Sequence, residues 1–402
     1  MLKVFLQTYG CQMNVRDSEV VCGLLKNAGY AITDDPVKAD VVLINTCSVR
    51  QHAEEKVWSE IGRLTKGGRK IASSWKGALR NDGGNKPFIG IIGCMAKNYA
   101  QEVFERAPAV DFVVGPADIG KIPGIIAKLM HKGIFESKIW ETEGETRPED
   151  IYHTGFHEEK EHAFVVISEG CSNFCSYCVV PYVRGPLRHR AHQEIVKEIT
   201  QAVDKGITRF TLLGQNVNAY YDNTVRFIDL VELVDKVGGL KEFSFITSHP
   251  KDASAELFRA MQRCSKMKKY LHLPVQAGSD RILQLMNRAY SRTRYLDLVK
   301  EYRTIVPGGV LTTDIIVGFP SETEEEFMDT YALVHDVQFD AAFIFKYSPR
   351  PHTHAAQLMD DVPKAEKERR HQMILQLQKE ISAKIKAKGK STRKKGKVNG
   401  EQ

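Results

Sequence analysis

Cys171, Cys175 and Cys178 stand in the run Gly170-Cys-Ser-Asn-Phe-Cys-Ser-Tyr-Cys178, a C-x3-C-x2-C spacing that puts three soft ligands on one short loop. Thiolates suit iron and sulfide, and three of them can hold three irons of a [4Fe-4S] cube while the fourth iron stays open to a reactive molecule. Zinc is the competing use of such a loop, but zinc knuckles and ribbons usually bring a fourth Cys or His at close spacing. His189 and His192 are the nearest downstream candidates and fit that pattern poorly.

Three further cysteines, Cys11, Cys47 and Cys94, repeat one arrangement: each follows a short apolar run, Val4 to Tyr9, Asp40 to Asn45 and Phe88 to Ile92. Runs of this length bounded by turn residues read as buried strands. Helical periodicity over Ser18 to Ala28 and Ala53 to Leu64, with a fourth strand at Asp111 to Val114, completes a small α/β domain with a parallel sheet. The loops after parallel strands share one edge, where open α/β folds bind ligands, so three thiols distant in sequence meet there. Independent buried cysteines are the alternative. Those lie within strands or on helical faces, as Cys22 in Val20-Val-Cys-Gly-Leu-Leu25 does and Cys264 near the end of another helix does. Position alone therefore predicts a second three-cysteine iron-sulfur cluster.

Beyond a Gly/Ser/Asn-rich surface loop from Lys66 to Lys86 and a polar stretch around Glu141 to Glu161, the chain shows six more strand candidates. They are Ala163 to Ile167, Phe210 to Leu213, Phe243 to Thr247, Tyr270 to Leu273, Thr312 to Val317 and Ala342 to Tyr347, the first five followed by amphipathic stretches. Six strand-then-helix units fit a partial, three-quarter TIM-like barrel better than a closed eight-fold one. Such barrels carry reactive groups at the carboxyl ends of their strands, and the Cys171 loop directly follows the first strand. A last helix, about Lys364 to Ala387, runs into a basic end. The reading divides the chain into an α/β domain at 1–145, a barrel domain at 155–382 and a tail at 383–402.

The amino-terminal run Met-Leu-Lys-Val-Phe-Leu is one strand's worth of apolar residues, too short for a signal segment or a membrane span. With eight cysteines, it points to a cytoplasmic, reducing setting without membrane association. The whole formal charge of +7 resides in the tail after Ser382, which holds eight Lys/Arg and one acid. With little to bury, that tail is expected to be mobile, either as a solvated end or as an arm that gives salt-sensitive affinity for a phosphate backbone.

Several long segments resemble one family. They include Thr8-Tyr-Gly-Cys-Gln-Met-Asn14 with Asp17-Ser-Glu-Val20, Val42-Leu-Ile-Asn-Thr-Cys-Ser-Val49, Gly93-Cys-Met95 and Cys178-Val-Val-Pro-Tyr-Val-Arg-Gly185. Leu213-Gly-Gln-Asn-Val-Asn218, Thr247-Ser-His-Pro250, Leu273-Pro-Val-Gln-Ala-Gly-Ser-Asp280, Gly318-Phe-Pro320 and Tyr347-Ser-Pro-Arg350 extend the match to about residue 380. The chain resembles the MiaB-type tRNA methylthiotransferases, radical S-adenosylmethionine (SAM) enzymes. Its Tyr-Gly-Cys-Gln-Met-Asn is like the branch that acts on isopentenylated adenosine.

The resemblance implies an auxiliary [4Fe-4S] cluster on Cys11, Cys47 and Cys94 and a second [4Fe-4S] cluster on Cys171, Cys175 and Cys178. The open iron of the second chelates SAM, which one electron cleaves to a 5′-deoxyadenosyl radical. The implied reaction replaces the C2 hydrogen of N6-isopentenyladenosine at position 37 of tRNA with a methylthio group. One SAM supplies the methyl and another the radical, and no side chain is singled out as catalytic. Tyr177, Gly214, Gln215, Ser248 and Gln276 are the candidate SAM contacts. Against this, Tyr177 can be a packing aromatic, and Ser248 and Gln276 can simply cap strands. Arg184 and Arg350 could meet tRNA phosphate or SAM carboxylate, a solvated or structural Arg being the simpler reading for either. The implied partners are tRNA, an electron donor such as flavodoxin or ferredoxin, and a sulfur or cluster donor, with the protein a monomer. Family members usually carry a TRAM domain after the last helix, where this sequence runs into its Lys-rich tail. Alternative readings are a methylthiotransferase acting on threonylcarbamoyl-adenosine or a ribosomal-protein aspartate, and a zinc-stabilised nucleic-acid-binding protein.

Overall fold

The computed structural model describes residues 1–48, 51–65, 87–132 and 138–398, so the loop read from Lys66 to Lys86 lies outside the described residues. The chain divides into two compact units, Met1–Ser172 with Val179–Gly214, and Asn173–Cys178 with Gln215–Gln402.

In the first unit, β1 Lys3–Tyr9, β2 Ala31–Ile32, β3 Val41–Thr46, β4 Phe88–Gly93, β5 Phe112–Val114 and β6 Ile139–Glu141 form one parallel sheet, ordered β2-β1-β3-β4-β5-β6. Every residue of β3 is buried, as expected of a parallel strand covered on both faces. The sequence reading found four of these strands; β2 and β6 are too short to show an apolar run. The helices of this part are α1 Gln12–Asn27, α2 Gln51–Thr65, α3 Cys94–Tyr99, α4 Glu102–Arg106 and α5 Ile122–Lys132. Periodicity started the first helix at Ser18, but α1 begins at Gln12. Its opening turns carry Asn14, Arg16 and Asp17, polar residues that are nonetheless buried. Val42, Ile44, Val57, Ile91, Met95 and Val113 build the core between sheet and helices.

The same unit pairs β7 His162–Val166 in parallel with β10 Arg209–Leu213, and β8 Ser168–Glu169 antiparallel with β9 Arg188–His189. Helices α6 Val180–Arg184 and α7 His192–Asp204 complete it. The polar stretch before β7 is no bare spacer, because Ile151 and Tyr152 are buried there and Arg147 makes ion pairs.

The second unit contains α8 Phe227–Asp235, β11 Glu242–Phe245, α9 Ala255–Arg263, β12 Tyr270–His272, α10 Asp280–Leu285, α11 Arg292–Ile305, β13 Val310–Val317, α12 Glu324–Val337, β14 Ala341–Lys346 and α13 Lys364–Val398. Strands β12, β13 and β14 form a parallel sheet in that order. All six segments read as strands in this half of the sequence are strands, and α13 continues past Ala387, where the reading ended it. Among the described residues no helix is long and apolar enough to cross a membrane.

Helix α12 starts in a capping box: Thr323 Oγ1 accepts from the Glu326 N–H at 3.3 Å, and Glu326 accepts from the Thr323 N–H at 2.9 Å. Thr323→Ala should cost about 1 kcal/mol, read from the denaturant midpoint. Arg281 forks onto Glu326 at 2.6 and 2.7 Å and holds its carboxyl down at about 2. A depressed carboxyl stabilises the fold above its ordinary 4.5 and loses that contribution as pH falls towards 2. Glu326→Gln should therefore flatten the pH dependence of stability in that window; an unchanged slope would refute the pairing.

Candidate functional site

Strand register brings the first cysteine set together. Tyr9 lies opposite Thr46, and Thr46 opposite Gly93, on adjacent strands β1, β3 and β4. Cys11, Cys47 and Cys94 follow these level strand ends, at the carboxyl edge where the strand order reverses around β1. Two glycines permit the approach. A Cβ on Gly10 would meet Cys47 Cβ at 2.6 Å, and Gly93, with φ +93°, has Asn45 Oδ1 where a Cβ would fall, 2.4 Å away.

Below the thiols lies a buried amide lattice. Cys11 Sγ donates to Asn14 Oδ1 at 3.3 Å, Asn14 Nδ2 donates to Asn45 Oδ1 at 2.9 Å, and Asn45 Nδ2 donates to the Asn14 carbonyl at 2.8 Å. Hydrogen bonding with Cys47, the Arg184 charge, and the N–H groups of Asn14 and Met13 outweigh burial and bring the Cys11 thiol down to about 6. Cys11 also occupies the residue just before α1, at a helix amino end where the dipole favours thiolate. Burial pushes the Cys94 thiol up, with Arg184 opposing.

Arg184 is the residue that sequence reasoning underrated. It is buried, its Nε donates to Cys94 Sγ at 3.2 Å, and its Nη2 donates to Asp17 at 2.7 Å. Asp17 also accepts from Arg147 at 2.7 Å, and Arg147 pairs with Glu169 at 3.0 Å. Burial favours discharging Arg184, but Asp17, Cys94, Cys11 and Glu169 keep it firmly protonated. It is not a surface arginine awaiting phosphate.

In the other set, Cys171 belongs to the first unit, where its N–H donates to the Gly185 carbonyl at 3.1 Å; Cys175 and Cys178 belong to the second. Their loop is fixed by backbone and amide groups: Ser176 N–H donates to the Met286 carbonyl at 3.0 Å, Ser176 Oγ to Leu285 O at 2.8 Å, and Asn287 Nδ2 to Phe174 O at 2.9 Å. Arg288 Nη1 reaches Cys175 Sγ at 3.3 Å while its other nitrogens are held by Pro274 O and Tyr290 Oη, both at 2.8 Å. His249 also faces Cys175, Nε2 to Sγ 4.0 Å. The Lys251 N–H donates to His249 Nδ1 at 3.1 Å, which puts the ring proton on Nε2. Burial, then Arg288 and Lys251, lower this imidazole to about 2, so it is neutral. Arg288 and His249 were not singled out in the sequence.

The candidate SAM contacts separate. Gln215 Oε1 is buried without a hydrogen-bond partner among the described residues, an open acceptor. Gly214 is buried at the end of the first unit. Ser248 Oγ instead donates to the His272 carbonyl, a strand-end cap. Gln276 continues the sheet, its N–H on Asp314 O and its carbonyl accepting from Ile316 N–H, both at 2.9 Å, with φ +72°. Thr247 is also left-handed, at φ +69°, so a β-branched and an amide residue hold unfavourable conformations in the segments after β11 and β12, as functional sites often require. Tyr177 packs against the core formed by Ala277, Ile282 and Phe319. Arg350 is buried. Cys22 and Cys264 are buried thiols raised by burial to about 12 and about 11, consistent with packing.

Among the described residues no three Cys, His, Asp or Glu side chains converge as ligands of one ion. A four-iron cube takes each thiolate on a different iron, so its ligands stand apart. Ser48 Oγ and both amide atoms of Asn98, next to Cys47 and one turn beyond Cys94, are buried without partners among the described residues, leaving polar capacity beside the thiols.

Residues 3–115 match the uncharacterized protein family UPF0004, and residues 165–334 match the radical SAM superfamily. The fold is similar to that of the radical SAM methyltransferase TsrM from Kitasatospora setae, with TM-score 0.60 at 12% identity, covering 89% of this chain and 74% of that one. Fold and matches define an α/β radical SAM enzyme with an amino-terminal six-stranded parallel sheet, a class that uses a [4Fe-4S] cluster and SAM. The chain is 42% identical to the tRNA-2-methylthio-N(6)-dimethylallyladenosine synthase of Clostridium novyi (strain NT), over 95% of its own length and 82% of the relative's. It is also 42% identical to that of Syntrophomonas wolfei, over 96% and 83%. The chain belongs to the family of these synthases.

Proposed function

We propose that this chain is a tRNA-2-methylthio-N6-dimethylallyladenosine synthase, replacing the C2 hydrogen of N6-isopentenyladenosine at position 37 of tRNA with a methylthio group. Beside the family relationship, the observation that carries this reading is the level register of Tyr9, Thr46 and Gly93, which gathers Cys11, Cys47 and Cys94 at one sheet edge. These three would hold an auxiliary [4Fe-4S] cluster, and Cys171, Cys175 and Cys178 the SAM-binding one. When bound, such clusters supply one-electron chemistry and sulfur that no side chain can offer to an unactivated aromatic C–H.

The protein's own residues fix the ligands and exclude water. The Asn14–Asn45 lattice orients Cys11, Arg184 holds Cys94, and Arg288 with neutral His249 flanks Cys175. The open Gln215 carbonyl oxygen suits the amino group of SAM. We further assign a methylthiotransferase domain to residues 1–145, a three-quarter radical SAM barrel to 155–382, a cytoplasmic setting, and flavodoxin or ferredoxin as reductant.

The test is anaerobic incubation of reconstituted enzyme with SAM, a reductant and isopentenylated tRNA, followed by nucleoside mass spectrometry. The 2-methylthio nucleoside is the expected product. SAM cleavage with the nucleoside unchanged would favour threonylcarbamoyl-adenosine or a protein aspartate as substrate.

A further inference from the structure

We propose that Arg184 is a positioning and charge-balancing residue of the Cys11/Cys47/Cys94 site, and that it raises the reduction potential of the iron-sulfur group held there. The inference rests on the auxiliary-cluster reading above.

Its first support is geometry. One guanidinium donates through Nε to Cys94 Sγ at 3.2 Å and through Nη2 to Asp17 Oδ2 at 2.7 Å. A planar fork makes both contacts at once; a lysine ammonium is a single point on a flexible stem. Val183 of helix α6, which carries Arg184, and Val179 just before it pack against Cys94. The fork is therefore aimed by the core and not by solvent.

Its second support is charge. Arg147 and Arg184 share Asp17, Arg147 also pairs with Glu169, and Arg188 approaches Glu169 at 3.7 Å. Arg147 and Arg184, both almost fully buried, thus stand against Asp17 and Glu169, while Arg188 is partly exposed. Burying an ion costs several kcal/mol unless it is paired. Arg184 shares its carboxylate with Arg147, and its remaining contact is the Cys94 sulfur. A thiolate bound to an iron-sulfur group accepts from that cation more strongly than a neutral thiol does.

The consequence is electrochemical. Reduction adds negative charge to the cluster, and an N–H···S bond with a buried cation favours that state. The experiment uses the full chain with Cys171, Cys175 and Cys178 replaced by Ala, so that only the auxiliary group remains, with EPR-monitored redox titration and iron analysis. In that background Arg184→Gln should lower the reduced-to-oxidised ratio at fixed potential at least tenfold, about 59 mV for a one-electron couple. Arg184→Lys keeps the charge but not the fork and should lower it about threefold. If the Gln variant does not fold, the Lys variant decides. Full iron content with the parent's potential in the variants would overturn the assignment of Arg184 alone. A parent without iron would overturn it together with the auxiliary-cluster reading.

Discussion

The full-length chain carrying Cys171→Ala, Cys175→Ala and Cys178→Ala will bind about four irons where the wild type binds about eight, as two four-iron cubes require. It will cleave no SAM and form no methylthiolated nucleoside. Loss of activity alone would say little, since an unfolded loop also gives none. The loop, however, does not depend on its thiols. Ser176 and Asn287 tie it to the 285–287 segment through hydrogen bonds of 2.8 to 3.3 Å, and Ala355 N–H donates to the Ser176 carbonyl at 2.7 Å. Arg288 loses one partner at Cys175 and keeps Pro274 O and Tyr290 Oη. The far-ultraviolet circular dichroism of the variant should therefore match the wild type. The companion variant of Cys11, Cys47 and Cys94 should also retain about four irons but continue to cleave SAM without product. Zinc in place of iron, or about four irons in the wild type, would refute the two-cluster reading.

The two kinds of site residue differ in how much the sequence discloses. Cys171, Cys175 and Cys178 are local, so their spacing is itself the signal. Cys11, Cys47 and Cys94 are distant from one another, but each sits one or two residues past a strand, and parallel strands must bring their carboxyl ends to one edge. Strand periodicity is enough to place them at one edge, as the level strand ends do. The arginines that hold the thiols have no such marker. Arg184 and Asp17 are 167 residues apart, Arg147 and Asp17 130, and Arg288 and Cys175 113. In sequence each looks like any surface cation, because a charge acquires a buried partner only through tertiary packing. The same cause hid the start of α1: a helix whose first turns bury Asn14, Arg16 and Asp17 shows no apolar stripe there. Ser248 shows the ambiguity of a strand-end position, which suits a ligand contact or a cap alike, and its hydroxyl donates to the His272 carbonyl.

Asp17→Asn should be the most destabilising single substitution in the amino-terminal unit, costing about 3–5 kcal/mol. Asp17 is 1% exposed and accepts from Arg147 and Arg184, each at 2.7 Å. Burial works to protonate it, but the two guanidiniums outweigh burial and hold its carboxyl below the usual 3.8. Its contribution is therefore present above 3.8 and disappears as pH falls through the lowered value. Asparagine keeps the shape and removes the charge, leaving two buried cations facing an amide, and breaking a buried pair costs more than never having built it. Urea unfolding of the apo protein, free of linkage to metal, should show the midpoint falling by about 1 M or more at neutral pH. The gap between variant and wild type should close in acid. A midpoint equal to that of the wild type would mean that Arg147 and Arg184 find water or other partners, and that the charge relay from Arg147 through Asp17 and Arg184 to Cys94 does not hold the first cysteine set in place.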